Sequence, residues 1–585
     1  MRPADLALYR LPPAWRWLAE RIWRVEHAFE RAKAAGRAED DTRLRIFFIL
    51  AMFAAGFLTL AVGATRSALF PDTDRSAAVL APPGARADMV DRNGRLLAVD
   101  LPHFGLYYDP RENWNAAEVK RVLTAQLPQL SPTRLDKALT ADKRQYLIGG
   151  LTPDEKARLD DLGLPGISFE PESKRVYPLG PTAGHLIGFV DRGGTGLSGA
   201  ELALDKPIKA SAGGQPVALT IDLRIQAALQ DELEKAAVKY QAIGGVGIVT
   251  NVRTGEILGL ASFPAFDPNT PGSTPPQNMI NHVAGTVYEP GSVFKVFTLA
   301  MGIDSGVATP NTVFDVRTLQ MPGRTIHDYD KGDTSLPLWE VFTHSSNIGA
   351  ARLGLLAGPD RMEHYFRAFG LFNAAPSELA ESARPILQKK LTESAVASMA
   401  FGEAIAVSPL SLATGMGAVL NGGEYVPLTI RKLDPNAPQP QRRRVISQAT
   451  SRTMLDLMRL NATRGSGTLA DAAAPGYRLG GKTGTAEKSL GGGIARKKLV
   501  SSFAGVFPTD GPVGTDRYFV LIMLDEPKPT KETFGFATGH WNSAPAVGRV
   551  VERIAPILRV QRAAYAPPVD PKSAPKQDEL SGDER

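Results

Sequence analysis

The chain has 585 residues, enough for several domains of ordinary size. Hydrophobic residues make up 43% and charged residues 22%, which excludes a wholly disordered, collagen-like or polytopic membrane protein. There is no cysteine, so disulfides, thiolate metal sites and cysteine nucleophiles are excluded. The formal charge is +6; half of it lies in residues 1–45 and no dense basic stripe follows, so a nucleic-acid partner is not expected.

The first predicted element is an apolar helix at 46–65, which has twenty residues and no charge. At about 1.5 Å per residue it spans a hydrocarbon core of about 30 Å, and it is longer than the apolar region of a cleavable signal peptide. Residues 26–45 hold five Lys or Arg and residues 66–85 hold two, a bias that places the N-terminus in the cytoplasm. The sequence predicts a cytoplasmic leader at 1–45, a single uncleaved transmembrane helix, and a remainder outside the membrane, most simply in a bacterial periplasm.

One face of this predicted helix carries only small residues, because Ala51, Ala55, Thr59 and Gly63 recur at every fourth position. Such a face allows close approach by another transmembrane helix. The alternative is that Ala, Gly and Thr are simply common in membrane segments, and the sequence leaves both explanations open.

Residues 66–215 are predicted to form an elongated β-rich domain of short strands and turns, which we call the pedestal. A hairpin is expected at 86–100 around the turn dipeptide Asn93-Gly94. The glycine-rich segment 193–199 is expected to be a turn, because no following Lys-Ser/Thr supports a phosphate-binding loop. Four charged residues are expected to form an ion network, with exposure to solvent as the alternative, rather than a binding site: Arg86, Arg92, Arg175 and Glu201.

Residues 216–560 are predicted to form a larger α+β domain. Its helical segments include 225–240, 292–303 and 336–356, so the pattern favours a mainly antiparallel sheet of five strands flanked by helices. The expected strands are 245–251, 256–262, 479–487, 500–507 and 518–525. A proline-rich surface loop is expected at 434–441 and a disordered tail at 561–585.

The first chemical motif lies at the start of the 292–303 helix. Ser292 and Lys295 are three residues apart and share one helix face, and Lys295 is the only charge before Asp304. A lysine on an apolar helix loses solvation and can act as a base for a serine nucleophile. The S-x-x-K pattern alone is weak, since Ser can be a helix cap and Lys can extend outward to solvent.

Two further motifs follow in order. Ser345 and Asn347 form S-x-N, and Lys482 begins K-T-G, a combination typical of penicillin-binding proteins and class A β-lactamases. The sequence thus resembles the penicillin-binding serine acyltransferases. The resemblance covers about residues 85–550 and includes further landmarks at 86–94, 196–201, 219–222, 288–292, 480–486, 502–505 and 525–528.

The segment Tyr-Glu-Pro-Gly-Ser at 288–292 and the absence of a glycosyltransferase domain are most similar to the class B, division-type FtsI family. Ala87 stands where the family usually has Gly. Ser408 and Ser411 stand where Thr and Gln are common. None of these departures removes a catalytic group.

The resemblance implies a D,D-transpeptidase mechanism. Ser292 would attack the penultimate D-Ala carbonyl of a peptidoglycan stem peptide, with Lys295 as its base, and a neighbouring stem amine would resolve the acyl-enzyme. Ser345 would relay a proton to the leaving group, Asn347 would orient Lys295, and Lys482 would disfavour the charged form of Lys295.

The K-T-G segment is implied to bind substrate. Thr483 and Thr485 would supply hydroxyl groups for the terminal carboxylate, and Gly484 would let the peptide lie beside the strand. Backbone N–H groups of Ser292 and Thr485 would form the oxyanion hole. No metal or cofactor is expected, since the eight histidines are scattered. His344 and Glu403 are expected to have structural or surface roles.

Three other functions use the same motifs or the same fold. A class A β-lactamase is disfavoured because no Glu followed four residues later by Asn lies between Asn347 and Lys482. An elongation-type class B transpeptidase and a non-catalytic β-lactam-binding scaffold stay open. The resemblance implies β-lactam antibiotics as ligands, a SEDS-type glycosyltransferase and other divisome membrane proteins as partners, and an inner-membrane location with a periplasmic catalytic domain.

Overall fold

The protein is described here from a computed structural model. It describes residues 21–69 with short gaps at 22, 25–26, 29, 32–33 and 37, and residues 85–563 apart from 330–331, 389, 434–441 and 491–492. The chain forms two compact units, 1–80 and 81–585. The loop predicted at 434–441, most of the tail predicted at 561–585 and the first twenty residues of the leader lie outside the described residues.

In the first unit the apolar segment lies within a helix of 32 residues, α1 (Ala38–Leu69). Among the residues that the structure describes, no helix is both long enough and apolar enough to cross a membrane. The transmembrane assignment of 46–65 is not confirmed and stays a prediction.

The pedestal is built on a five-stranded sheet in which β2 pairs with β1, β3 and β4, and β1 also pairs in parallel with β5. Its strands are β1 (Met89–Val90), β2 (Leu96–Tyr108), β3 (Gln145–Leu151), β4 (Ile167–Val176) and β5 (Val217–Ala218). Its helices are α2 (Ala116–Gln126), α3 (Pro132–Leu139), α4 (Pro153–Asp160), α5 (Gly184–Ile187), α6 (Gly199–Ala203) and α7 (Asp205–Ala210). The predicted hairpin is confirmed: Met89 pairs with Ala98 across a turn where Gly94 has φ of 84°.

The second domain contains the predicted antiparallel sheet of five strands, in the order β16-β17-β18-β6-β7. These strands are β6 (Gly244–Asn251), β7 (Ile257–Phe263), β16 (Gly480–Leu490), β17 (Gly493–Phe507) and β18 (Tyr518–Asp525). The described part of the insertion between β7 and β16 contains four two-stranded sheets. Their strands are β8 (Val313–Asp315), β9 (Leu319–Met321), β10 (Arg324–Ile326), β11 (Ser335–Pro337), β12 (Ile386–Leu387), β13 (Ile405–Ala406), β14 (Glu424–Tyr425) and β15 (Arg443–Arg444).

The helices of this domain precede, interrupt and follow the sheet. They are α8 (Leu223–Lys239), α9 (His282–Gly285), α10 (Lys295–Asp304), α11 (Leu338–Thr343), α12 (Asn347–Ala357), α13 (Pro359–Ala368), α14 (Glu393–Met399), α15 (Pro409–Leu420), α16 (Gln448–Arg464), α17 (Thr468–Ala473) and α18 (Ser543–Ile554).

The sheet is buried on both faces. On β18, Leu521 and Met523 belong to the core shared with α10, α12 and α15, whereas Val520 and Ile522 belong to the core shared with α8 and α18. Successive side chains of a strand point to opposite faces. A strand covered on both sides is therefore apolar throughout, which explains the uninterrupted apolar run of the sequence.

The helix predicted at 336–356 is wrong as a single element. The structure instead has β11, then α11, then α12, and the break between the two helices falls at Ser345, whose φ is 61°. The Ser346 side chain accepts the backbone N–H of Gly349 and begins α12. Because of this break, the S-x-N motif lies at the start of α12. Its Ser345 hydroxyl can therefore contact Lys295 and Lys482.

Candidate active site

Ser292 lies in a one-turn 3-10 helix, Gly291–Phe294, that leads directly into α10. Gly291 has φ of 53°, a conformation that glycine adopts without strain. A Cβ on Gly402 would lie 2.1 Å from the Gly291 carbonyl oxygen, so the turn is held closely against a second glycine. The Gly-Ser segment therefore places the Ser292 hydroxyl at the N-terminus of the buried helix α10.

Lys295 is fully buried one turn after Ser292. Its Nζ lies 2.9 Å from Ser292 Oγ, 2.7 Å from Asn347 Oδ1 and 3.2 Å from Ser345 Oγ, and it also contacts the Ser345 carbonyl oxygen. Burial and then the neighbouring charge of Lys482 lower the pKa of Lys295 well below its ordinary value. A neutral amine in this position can accept the Ser292 hydroxyl proton.

Ser345 connects the two buried lysines. The Lys482 Nζ donates to Ser345 Oγ at 2.9 Å, so one hydroxyl bridges Lys482 and Lys295. Burial lowers the pKa of Lys482 to about 7. Protons can thus move between three adjacent groups without crossing solvent.

The K-T-G segment lies on β16, an edge strand of the five-stranded sheet. Thr483 pairs with Phe503 and Thr485 with Ser501 on β17, which leaves the opposite edge of β16 for an added strand. The Thr483 hydroxyl lies 2.7 Å from Ser466 Oγ, and the Thr485 hydroxyl accepts the Gly539 N–H at 3.3 Å.

The structure shows why position 484 must be glycine, which the sequence alone did not indicate. A Cβ there would lie 2.4 Å from Ser502 Oγ, 2.8 Å from the Pro290 carbonyl oxygen and 2.9 Å from the Val293 side chain. The absent side chain therefore lets β16 approach the Ser292 turn. The predicted role of Gly484 in seating a substrate strand stays a prediction.

Three of the eight predicted site residues, Thr483, Gly484 and Thr485, lie on β16, whose backbone approaches the Ser292 turn. The structure joins the other five through side-chain hydrogen bonds: Ser292, Lys295, Ser345, Asn347 and Lys482. It also adds two that sequence reasoning missed. Asp328 accepts the backbone N–H groups of Asn347 and Ile348 and the hydroxyl of Ser346. Ser466 contacts the Thr483 hydroxyl. Neither residue lies in a motif, so no sequence signal identified them.

The other predicted charged residues have structural partners. Glu201 pairs with Arg86 at 2.6 Å and with Arg175 at 2.7 Å, as the predicted network requires. Arg92 lies 3.5 Å from Glu256 instead and is not a member of that cluster. Two residues near the motifs also have ionic partners: Glu403 pairs with Arg324, and His344 with Asp333.

The amino-acid sequence was compared with family models and with known proteins, and the matches assign the chain to a family. Residues 81–232 match the penicillin-binding protein dimerisation domain, and residues 245–544 match the penicillin-binding protein transpeptidase domain. The probable peptidoglycan D,D-transpeptidase FtsI of Caulobacter vibrioides is 54% identical over 558 residues, which cover 94% of each chain. The chain belongs to the FtsI-type class B penicillin-binding proteins.

More distant relatives agree with this assignment. The peptidoglycan D,D-transpeptidase FtsI of Escherichia coli K12 is 30% identical over 511 residues, covering 82% of this chain and 84% of its own. A crystal structure of penicillin-binding protein 3 from Mycobacterium tuberculosis, complexed with aztreonam, has a TM-score of 0.64 and 25% identity, covering 83% of this chain and 98% of its own. The fold is thus that of a transpeptidase domain joined to a dimerisation domain.

Proposed function

We propose that this protein is a peptidoglycan D,D-transpeptidase that cross-links stem peptides of nascent glycan strands during cell division and is inhibited by β-lactams. The observation that carries the proposal is the position of the Lys295 amine, within hydrogen-bond distance of Ser292, Ser345 and Asn347. Lys482 completes the set by donating to Ser345. This geometry supports serine acyl transfer, because the nucleophile, its base and a route for the proton are adjacent.

Acylation begins when Ser292 Oγ attacks the carbonyl carbon of the penultimate D-Ala while Lys295 takes the hydroxyl proton. Backbone N–H groups of Ser292 and Thr485 stabilise the oxyanion, at about 3 kcal/mol per donor. The C–N bond to the terminal D-Ala then breaks, and the leaving nitrogen receives its proton through Ser345, which lies between the two lysines. The product is an ester on Ser292.

Deacylation reverses the roles. An amine from a neighbouring stem peptide attacks the ester carbonyl and gives one proton to neutral Lys295. The C–O bond to Ser292 then breaks, and Lys295 returns that proton to the serine oxygen. Thr483 and Thr485 hold the terminal carboxylate of the donor peptide before acylation. An acceptor amine rather than water gives the cross-link.

The first test is labelling by a fluorescent penicillin. We expect Ser292→Ala to abolish labelling, because no other hydroxyl replaces the nucleophile. Ser305→Ala is the matched control, since Ser305 follows the far end of α10 and its hydroxyl donates to backbone carbonyls of that helix, at Met301 and Gly302. Persistent labelling of the S292A protein would contradict the assignment.

Labelling alone does not separate an enzyme from a β-lactam-binding scaffold. The second test therefore measures cross-links formed from lipid-linked precursor in the presence of a glycosyltransferase. We expect cross-links with the wild-type chain and none with S292A. A chain that labels with penicillin but forms no cross-link in this assay would be a scaffold.

The cellular part of the proposal rests on the sequence. The charge-free segment 46–65 and the basic leader favour a single anchor with the catalytic domain in the periplasm. A SEDS-type glycosyltransferase is the proposed membrane partner, seated on the face of Ala51, Ala55 and Thr59. Replacing Ala55 and Thr59 by Leu should weaken its co-purification, whereas unchanged co-purification would remove that face from the proposal.

The division role is tested by location. A fluorescent fusion is expected at mid-cell in dividing cells, where septal peptidoglycan is made. A signal along the side wall would favour the elongation-type alternative.

A further inference from the structure

We propose that Asp328 is a positioning residue for the acylation reaction, which holds the Ser345–Asn347 segment in its active conformation and sets the charge environment of Lys295. The inference rests on the proposed function and names a residue outside its three motifs.

Within the described residues, Asp328 makes hydrogen bonds to the S-x-N motif and to the residue that follows it. Its Oδ1 accepts the N–H of Asn347 at 2.6 Å and of Ile348 at 3.0 Å, and its Oδ2 accepts the Ser346 hydroxyl. These N–H groups belong to the first turn of α12, where no intrahelical acceptor exists. A carboxylate at this end is also favoured by the helix dipole.

The segment needs such support because Ser345 has a strained backbone. Its φ of 61° is a left-handed conformation that costs a non-glycine residue about 1 kcal/mol or more. Only in this conformation does the motif break between α11 and α12, with Ser345 Oγ between Lys295 and Lys482. Asp328 holds the chain immediately after this break, because it accepts hydrogen bonds from Ser346, Asn347 and Ile348.

The charge of Asp328 acts on the base as well. Burial and Lys482 disfavour the protonated form of Lys295, whereas Asp328 and Glu403 favour it. The charge of Glu403 is paired with Arg324 at 2.8 Å. Lys482 contacts the same Ser345 hydroxyl that Lys295 contacts. Removal of the Asp328 charge therefore leaves the neutral amine favoured down to a lower pH.

The positioning effect and the charge effect can be separated in one measurement, the pH profile of the second-order rate constant for acylation by penicillin. We expect Asp328→Asn to lower the plateau about ten-fold, because the reacting groups lose alignment. We expect the acidic limb of the same profile to move to lower pH, because Lys295 stays neutral further into acid. A loss of folding alone would lower the amplitude without moving the limb.

Asp304→Asn is the matched control. Asp304 also accepts a backbone N–H, from Ser447, and a hydroxyl, from Thr450, at the start of a helix, but it lies at the far end of α10 from Ser292. Its removal is expected to leave both plateau and limb unchanged. Asp328→Glu provides a second variant, which keeps the charge but displaces it, so the plateau falls while the limb stays in place.

A wild-type plateau and limb in D328N, or equal losses in D328N and D304N, would overturn the inference. If D328N does not fold, an unchanged plateau in D328E overturns it. The proposed function has its own test. If S292A is still labelled by penicillin, the proposed function fails, and with it the reaction that Asp328 is inferred to serve. If S292A is not labelled and D328N behaves like the wild type, only the inference about Asp328 fails.

Discussion

Lys482 is a long cationic side chain with no exposed surface, and its position costs stability. Burial lowers its pKa from the ordinary value of 10.5 to about 7. The unfolded chain therefore binds the proton more tightly than the folded chain does, and the penalty grows as pH falls from 10.5 to about 7 and is constant below. The role in proton transfer proposed for Lys482 accounts for a buried lysine kept at this cost to stability.

We expect Lys482→Met to raise the unfolding free energy by about 1–3 kcal/mol at pH 7 while abolishing penicillin labelling. The methionine fills a similar volume and carries no charge to desolvate. Thermal unfolding measured from pH 7 to 10.5 checks the cause, because the gain should shrink as the wild-type lysine becomes neutral in the unfolded state. A gain that does not change with pH would point to packing instead.

Ser466 controls the hydroxyl of Thr483. The two oxygens are 2.7 Å apart, and Ser466 is itself held by Asn461, whose side-chain Oδ1 accepts its N–H at 3.2 Å. The Thr483 hydroxyl donates to Ser466 Oγ, and the Ser466 hydroxyl donates to Asn461 Oδ1 at 3.3 Å, so this chain of hydrogen bonds fixes the orientation in which Thr483 meets a substrate carboxylate.

We expect Ser466→Ala to lower kcat/KM about five- to ten-fold through KM, since one hydrogen bond to a neutral group is worth about 1 kcal/mol. Steady-state kinetics on a donor peptide with a free terminal carboxylate measures this. The same variant should lose little with a donor whose carboxylate is amidated; an equal loss on both donors would place Ser466 outside carboxylate recognition.

At the scale of elements, the site depends on the close contact between β16 and the Ser292 turn. The turn and the strand come from segments about 190 positions apart in sequence, and they meet because Gly484 lacks a side chain next to Pro290 and Val293. A single methyl group at this position has no room.

We expect Gly484→Ala to lower the penicillin acylation rate by about 100-fold, because β16 must move away from Ser292. Ser502→Ala added to G484A should recover only part of the rate, since the Pro290 carbonyl oxygen still blocks the Cβ. Gly514→Ala is the control, as a Cβ there has open space. A G484A rate equal to that of G514A would contradict this explanation.

At the scale of the whole molecule, the pedestal is held by a buried ion cluster. Glu201 accepts from both Arg86 and Arg175, and Arg175 also pairs with Asp100 at 3.0 Å. The four residues come from four segments: the chain before β1, β2, β4 and α6. One carboxylate therefore joins the first, middle and last parts of the domain.

We expect Glu201→Ala to destabilise the pedestal by about 3–5 kcal/mol, because it leaves two buried guanidinium groups without their shared partner. Limited proteolysis should cleave within 85–215, while penicillin labelling of the second domain persists. Glu170→Ala removes an exposed pair with Arg144 and should cost less than about 1 kcal/mol. Equal proteolysis of the two variants would argue against a special role for the buried cluster.

Much of this architecture followed from local patterns. Apolar runs such as Tyr518–Asp525 predicted strands because a strand buried on both faces has no polar positions. Asn93-Gly94 predicted a hairpin turn because glycine adopts positive φ. The predicted site residues followed from motif order and spacing, which local chemistry constrains tightly.

The sequence by itself predicted the reacting groups: Ser292 and Lys295 are three residues apart, and that spacing puts their side chains on one face of a helical segment without tertiary information. Only the tertiary structure decided how Ser345 and Lys482 join them, where the 336–356 segment breaks, and why Gly484, Asp328 and Ser466 matter. The physical reason is that these positions depend on contacts between segments distant in sequence. Spacing and propensity describe neighbours along the chain, whereas a strained φ, a missing Cβ or a carboxylate bonded to another element acquires meaning only when the second element is in place.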